Sequence, residues 1–263
     1  MTVPEIVLTE PSGPTGAPLI VLGPSLGTST ILWETTIPLL RERYRVAAWD
    51  LPGHGESPPP TAPFTVADIA DGVADAVRAR GEDRILYAGV SLGGATGLEL
   101  LLRHPALVSA AAIVASGARL GDPGAWHERA AQVRAQSTSS LIIGSAQRWF
   151  APGSIERRPE LSGRLLHALQ DADDEGYARC CEALAAYDVR DSLGRIDVPV
   201  RAVWGRFDQV APEQKATEIA EGVRRGSTAV IEDAAHLPPA EQPEATASAL
   251  LDFFDALSEG PLR

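Results

Sequence analysis

Short apolar runs alternate with amphipathic stretches along most of this chain. A continuous apolar run such as residues 19–22 is typical of a strand that is buried on both faces of a sheet. Between such runs apolar residues recur at helical spacing, as Val66, Ile69, Val73 and Val77 do. Strands that alternate with helices predict right-handed crossovers and a mainly parallel sheet. We therefore expect an α/β fold whose central sheet is flanked by helices. The predicted strands cover residues 5–9, 19–22, 45–49, 84–90, 108–115, 200–205 and 228–232.

The alternation stops at Arg119, and from there to about residue 191 the pattern is helical. A run of helices inside an α/β pattern indicates an inserted lid. We expect residues 1–118 and 192–263 to form an α/β core, and residues 119–191 to form a helical lid on it. The helices predicted in the lid cover residues 125–135, 140–150, 161–171 and 176–187.

The sequence GVSLGG at residues 89–94 lies between a predicted strand and a predicted helix. This context is typical of a nucleophile elbow, a tight strand-to-helix turn that exposes a serine hydroxyl. Gly89 and Gly93 flank Ser91, and such a turn needs them because it brings backbone against backbone. A chance match in a chain rich in small residues is the competing interpretation, and the flanking strand and helix argue against it. We predict that Ser91 is a catalytic nucleophile.

A serine nucleophile needs a base within hydrogen-bond reach, because its hydroxyl stays protonated near neutral pH. His236 lies in the loop after the strand at 228–232, and loops that follow parallel strands gather at one edge of the sheet. Asp208 follows the strand at 200–205 and lies at the same edge. The competing interpretations are an exposed loop histidine and an aspartate that caps the next helix. We predict a triad of Ser91, Asp208 and His236.

Backbone N–H groups are the predicted donors to the oxyanion that forms during acyl transfer. The N–H of Leu92 opens the helix after the serine, where the helix dipole also favours an anion. The loop at residues 23–27 leaves a central strand, precedes a helix predicted over residues 30–41 and offers a second donor. Pro24 has no N–H, so we predict Ser25 as that donor, with Leu26 as the alternative.

Asp50 and His54 have catalytic side-chain types and lie in the turn WDLPGHGES at residues 49–57. An aspartate at a strand end before such a turn usually binds backbone N–H groups. We therefore interpret both residues as structural.

Composition restricts the partners more than the fold. The 263 residues are 44% apolar and 22% charged and carry a net charge of −12. This charge argues against nucleic acid and anionic membrane as partners, since both need clustered Lys and Arg. No apolar run is long enough to span a bilayer, and no signal peptide is visible. The cysteines are the neighbours Cys180 and Cys181, which favour a reducing compartment. We expect a cytoplasmic protein whose oligomeric state stays open, a homo-oligomer included.

The motifs described above resemble the α/β-hydrolase superfamily over nearly the whole chain. A narrower resemblance, to the 3-oxoadipate enol-lactonases of the β-ketoadipate pathway of aromatic catabolism, includes two segments of the predicted lid. It is carried by the sequences GPSLGTS, WDLPGHGES, GVSLGG, GAWHERAAQVR and RWFAP. This resemblance implies hydrolysis of a five-membered enol-lactone that carries a carboxymethyl arm, giving 3-oxoadipate, with no cofactor and no metal.

A carboxylate on the substrate would need a local cation in so acidic a protein. Arg129 and Arg148 are the candidates, because guanidinium binds carboxylate in a bidentate manner. Trp126 and Trp149 are candidates for the walls around the lactone ring. The competing interpretations are a solvated helix face for the arginines and lid core for one of the tryptophans. Other functions compatible with the triad are a general carboxylesterase and a cofactor-free perhydrolase, and a more distant one is a non-enzymatic small-molecule receptor.

Overall fold

Six strands form one parallel sheet in the structure, a computed structural model that describes residues 2–258. The strands are β1 (Leu19–Gly23), β2 (Arg45–Ala48), β3 (Ile85–Val90), β4 (Val108–Val114), β5 (Val200–Gly205) and β6 (Gly226–Ile231). Their spatial order is β2-β1-β3-β4-β5-β6, and each neighbouring pair is parallel. The predicted α/β fold with a parallel sheet is confirmed.

Helices connect and flank these strands. They are α1 (Ile37–Leu40), α2 (Val66–Ala79), α3 (Leu92–Arg103), α4 (Pro123–Gln136), α5 (Ile142–Trp149), α6 (Ser154–Arg157), α7 (Pro159–Asp171), α8 (Asp174–Ala185), α9 (Glu213–Gly222), α10 (Pro238–Glu241) and α11 (Pro243–Ser258). Short 3-10 helices lie at Thr30–Trp33, Thr138–Leu141 and Arg190–Arg195. Within residues 2–258 no helix has the length and apolar character needed to cross a bilayer.

Burial along the sheet explains its sequence pattern. Every residue of β1 and β3 is buried, as expected for inner strands covered on both faces, whereas the edge strand β6 is partly exposed. Because all strands are parallel, their carboxyl ends lie along one edge of the sheet. The loops at this edge contain Ser91 after β3, Ser116 after β4, Asp208 after β5 and His236 after β6.

Residues 119–191, which we call the helical insertion, contain helices and connecting turns but no strand. Its helix α4 packs along α8, and its apolar side chains form a buried cluster continuous with the core. Both cysteines are in α8, where they are buried and free. The insertion lies between β4 and β5 along the chain, so both of its ends connect to the sheet.

Two predicted elements differ from the structure. Residues 5–9 form only an isolated antiparallel bridge, from Leu8 to Trp49, because the neighbouring N–H of Val7 donates to the Ser57 hydroxyl instead of to a strand. The helix predicted over residues 30–41 is split into a 3-10 turn and α1. Pro38, at the start of α1, has no N–H to continue an earlier helix.

Candidate active site

Ser91 lies at the tight turn between β3 and α3. Its φ of 55° and ψ of −114° are strained for a residue with a side chain, at a typical cost of about 1–3 kcal/mol. A Cβ on Gly89 would lie 2.3 Å from the Gly93 carbonyl oxygen, and one on Gly93 would lie 2.6 Å from that of Pro24. Both positions therefore need glycine, as the sequence predicted.

Hydrogen bonds hold the backbone of Ser91 in this conformation. Its N–H donates to the Val114 carbonyl at 2.9 Å, and its carbonyl accepts from the Ser116 hydroxyl at 2.7 Å. The Ser116 side chain is a positioning group that the sequence did not reveal, since only its place after β4 pointed to this edge. The surrounding structure thus overdetermines the strained turn.

Asp208 and His236 form a buried pair at the same edge of the sheet. The His236 Nδ1 lies 3.0 Å from Asp208 Oδ2, and Asp208 Oδ1 accepts the N–H groups of Val210 and Ala211 at 2.7 and 3.0 Å. Burial alone would raise the pKa of Asp208, but the His236 imidazole and the two N–H donors together hold it below its usual value. An ionised Asp208 favours the proton on Nδ1, which leaves Nε2 as a base.

A cavity of about 290 Å³ brings the predicted residues of the sheet edge and the insertion together. Its lining includes Ser91 and His236 from the core, and Trp126, Arg129, Arg148 and Trp149 from the insertion. Within residues 2–258 no hydrogen bond joins the Ser91 hydroxyl to His236. Such contacts are often long without substrate and tighten when it binds.

The predicted oxyanion donors differ in whether their N–H groups already donate to another group of the protein. Ser25 and Leu26 both line the cavity, but the Ser25 N–H donates to the Thr28 hydroxyl at 3.1 Å. The N–H groups of Leu26 and Leu92 have no acceptor in the part of the protein that the structure describes. Leu92 therefore offers a free N–H at the N-terminus of α3. In the loop at residues 23–27 the free N–H belongs to Leu26, the alternative donor.

The two arginines of the cavity lack carboxylate partners among the described residues. The Arg129 guanidinium lies over the Trp126 ring, 5.1 Å from its centroid. Burial and the nearby charge of Arg129 lower the pKa of Arg148. Two neighbouring cations without a protein anion create a site that favours a bound anion.

Glu241 is a second positioning group that sequence reasoning missed. Its Oε1 accepts the N–H groups of Ala235 and Leu237 on either side of His236, at 2.8 and 3.2 Å. Its Oε2 accepts from the Ala151 N–H and the Ser154 hydroxyl of the insertion, at 2.6 and 2.8 Å. Burial raises the pKa of Glu241, and the four donors offset part of that effect. One buried carboxylate thus fixes the loop of His236 and ties it to the insertion.

Comparison with known proteins identifies the family of this chain. A family described as having the alpha/beta hydrolase fold matches residues 18–243. The chain belongs to the α/β-hydrolase family. Among its members, 3-oxoadipate enol-lactonase 2 of Acinetobacter baylyi is 34% identical over 233 residues, which cover 89% of this chain and 87% of that protein.

Other α/β hydrolases show how broad the similarity is. The crystal structure of the enol-lactonase from Burkholderia xenovorans LB400 matches with a TM-score of 0.90 at 30% identity, over 95% of this chain and 96% of that one. The pimeloyl-[acyl-carrier protein] methyl ester esterase of Neisseria meningitidis is 30% identical over 244 residues, covering 90% of this chain and 91% of that protein. The resemblance to enol-lactonases is confirmed, and relatives of both kinds support a hydrolase activity.

Proposed function

We propose that this α/β hydrolase opens a carboxylate-bearing enol-lactone, 3-oxoadipate enol-lactone, through a serine acyl-enzyme. The observation that carries the proposal is the cavity itself. Its lining contains Ser91 and His236 together with Arg129 and Arg148, and the two arginines have no carboxylate partner in the described part of the chain. The likeness to enol-lactonases from two organisms supports the choice of substrate.

In the first half of the reaction, His236 Nε2 takes the Ser91 proton as the hydroxyl oxygen attacks the lactone carbonyl carbon. The resulting oxyanion accepts from the N–H groups of Leu92 and Leu26, because the Ser25 N–H already donates to the Thr28 hydroxyl. Loss of one such donor typically raises the barrier by about 3 kcal/mol. When the ring C–O bond breaks, its electron pair leaves on the enol oxygen, His236 returns the proton, and the freed enol becomes a ketone.

In the second half, water releases the acyl group from Ser91. His236 takes a proton from the water as its oxygen attacks the ester carbonyl, and then gives that proton to the departing Ser91 oxygen. The ionised Asp208 stabilises the imidazolium that forms twice in the cycle. The balance is one lactone and one water consumed for one keto acid released.

The helical insertion acts as the lid in this proposal. Arg129 and Arg148 bind the substrate carboxylate, and Trp126 and Trp149 enclose the ring. The backbone carbonyl of Trp149 also accepts a hydrogen bond from the backbone N–H of His236 at 3.1 Å. Closure of such a lid would exclude water from the acyl transfer until the enol has formed.

A hydrolysis panel tests this function. Purified protein is assayed with 3-oxoadipate enol-lactone, saturated lactones and aryl esters, with Ser91→Ala as the blank. We expect the highest kcat/KM for the enol-lactone. Equal or higher values for neutral esters would contradict the proposed substrate.

A general carboxylesterase is the second candidate. The similarity to a methyl ester esterase favours it. That relative and the enol-lactonase of known structure are both 30% identical to this chain. In the same panel, its signature is a preference for simple esters together with no effect of removing Arg129 or Arg148.

A further inference from the structure

The loop at residues 24–28 carries the second oxyanion donor, and most of its N–H groups have protein partners. The Ser25 N–H donates to the Thr28 hydroxyl, which in turn donates to the Ser25 carbonyl at 2.8 Å. The Gly27 N–H donates to His54 Nε2 at 3.2 Å. The Leu26 N–H lies between these two anchored groups. The direction of the free N–H therefore depends on contacts made by its neighbours.

His54 is held in one tautomer by those contacts. Its Nδ1 lies 3.0 Å from the Pro52 carbonyl, which can only accept, while the Gly27 N–H can only donate. The proton must then be on Nδ1, with Nε2 as the acceptor. The residue is 1% exposed, and burial lowers its pKa to about 4, so the ring is neutral near neutral pH. A neutral, single-tautomer ring is a fixed acceptor for the loop.

Two further contacts connect this ring to the cavity and its turn to the loop. His54 stacks on Tyr177 of the insertion, with ring centroids 6.0 Å apart and planes at 27°, and Tyr177 lines the cavity. Asp50, in the same turn, accepts the Thr30 N–H at 2.7 Å and the Glu56 N–H at 3.1 Å. The turn at residues 50–57 thus anchors both ends of the segment 27–30.

We propose that His54 is a positioning residue for the oxyanion loop, acting through the Gly27 N–H. This inference rests on the proposed acyl-transfer function. Donors stabilise a transition state only when they are already aimed at the developing charge, since reorientation during the reaction would consume the gain. Without an acceptor, the buried Gly27 N–H would turn toward another partner, and the adjacent Leu26 peptide would turn with it.

A matched pair of substitutions separates the two contacts of the ring. In His54→Gln the side-chain amide lies near the place of Nε2, so an acceptor for the Gly27 N–H is retained. In His54→Asn the amide lies near the place of Nδ1, so only a donor to the Pro52 carbonyl is retained. His104→Asn is the control, because this histidine bonds Asp71 at the far end of α3 and does not line the cavity. Each variant is assayed for kcat and KM, for affinity to an alkyl boronic acid that forms a tetrahedral adduct with Ser91, and for Tm.

We expect His54→Asn to lower kcat by about 10- to 100-fold, less than the 10²–10³-fold lost with a whole oxyanion donor. Boronic acid affinity should fall in parallel, while KM changes by less than about 3-fold. His54→Gln should recover most of kcat, and His104→Asn should match the wild type.

Several results would overturn the inference. One is a kcat within 3-fold of wild type for His54→Asn, and another is an equal loss for both His54 variants, because the Gly27 contact would then not matter. A lower Tm with unchanged kcat and boronic acid affinity would indicate a structural role only. If the wild type hydrolyses no lactone or ester, the proposed function fails and this inference fails with it. An active wild type with insensitive His54 variants contradicts this inference alone.

Discussion

The sheet edge and the helical insertion contribute to one cavity in different ways. At the sheet edge, Ser91 and Asp208 are held by backbone hydrogen bonds and by a turn that tolerates no extra Cβ at its glycines. In the insertion, Arg129 and Arg148 face the cavity without carboxylate partners among the described residues. Under the proposed function, the core holds the groups that transfer protons and form the acyl-enzyme, and the insertion presents two cations whose anionic partner would arrive with the substrate.

Substitutions in the two regions should therefore change different kinetic constants, kcat at the sheet edge and KM in the insertion. Changes in rigidly held groups at the sheet edge should remove transition-state stabilisation. Changes in the insertion should remove binding that the ground state and the transition state share, which raises KM.

Ser91→Ala should abolish turnover. Removal of a serine nucleophile typically lowers kcat by about 10⁶-fold, because the base and the acid cannot act without it. Steady-state rates on the best substrate of the panel measure this effect. An organophosphonate should label the wild type at Ser91 and leave the variant unmodified. Labelling of neither protein would indicate a non-enzymatic receptor.

Asp208→Asn should lower kcat by about 10⁴-fold while KM changes little. The amide places a donor toward His236 Nδ1 and thereby favours the tautomer that cannot accept the serine proton. Single-turnover kinetics on an aryl ester report the acylation step directly. A loss of tenfold or less would remove Asp208 from the triad and shift the search to another carboxylate at the sheet edge.

Arg148→Ala and Arg129→Ala should raise KM for a carboxylate-bearing lactone by about 10- to 100-fold, the range expected for a charged hydrogen bond. KM for a neutral aryl ester should stay within about 2-fold in the same variants. Arg134→Ala is the matched control, because this arginine shares α4 with Arg129 but pairs with Glu175 and Glu182 away from the cavity. Unchanged KM values for both cavity arginines would remove them from substrate binding.

Acid should destabilise the wild type through His54. Burial lowers its pKa from 6.5 to about 4, an effect that Pro52 and Asp173 offset only in part. Between these values the unfolded chain binds the extra proton, so stability declines as the pH falls, by about 1 kcal/mol per pH unit. Urea unfolding between pH 7 and 5 should show this slope, and His54→Gln should reduce it. Identical slopes would mean that other groups dominate.

Local patterns in the sequence predicted much of the fold and the candidate site. The parallel sheet was readable because its inner strands are continuous apolar runs. The glycines around Ser91 were readable because their chemistry is local. The place of His236 followed from topology alone, since parallel strands end at one edge.

Long-range contacts were not readable in the same way. The carboxylate of Glu241 serves donors from two segments that are far apart in sequence, and no spacing rule reports that. The hydrogen bond from the Ser25 N–H to the Thr28 hydroxyl depends on the rotamer of Thr28. The predicted strand at residues 5–9 is only a bridge at Leu8, because the Val7 N–H donates to the Ser57 hydroxyl.

The close approach of Gly89 to Gly93 has a practical consequence for protein engineering. Even a methyl group at either glycine would push α3 away from the sheet, and the Leu92 N–H would move with it. New chemistry at this site therefore requires that both glycines stay and that only Ser91, between them, is replaced. Any replacement there must still adopt the φ of 55° and the ψ of −114° that the turn imposes.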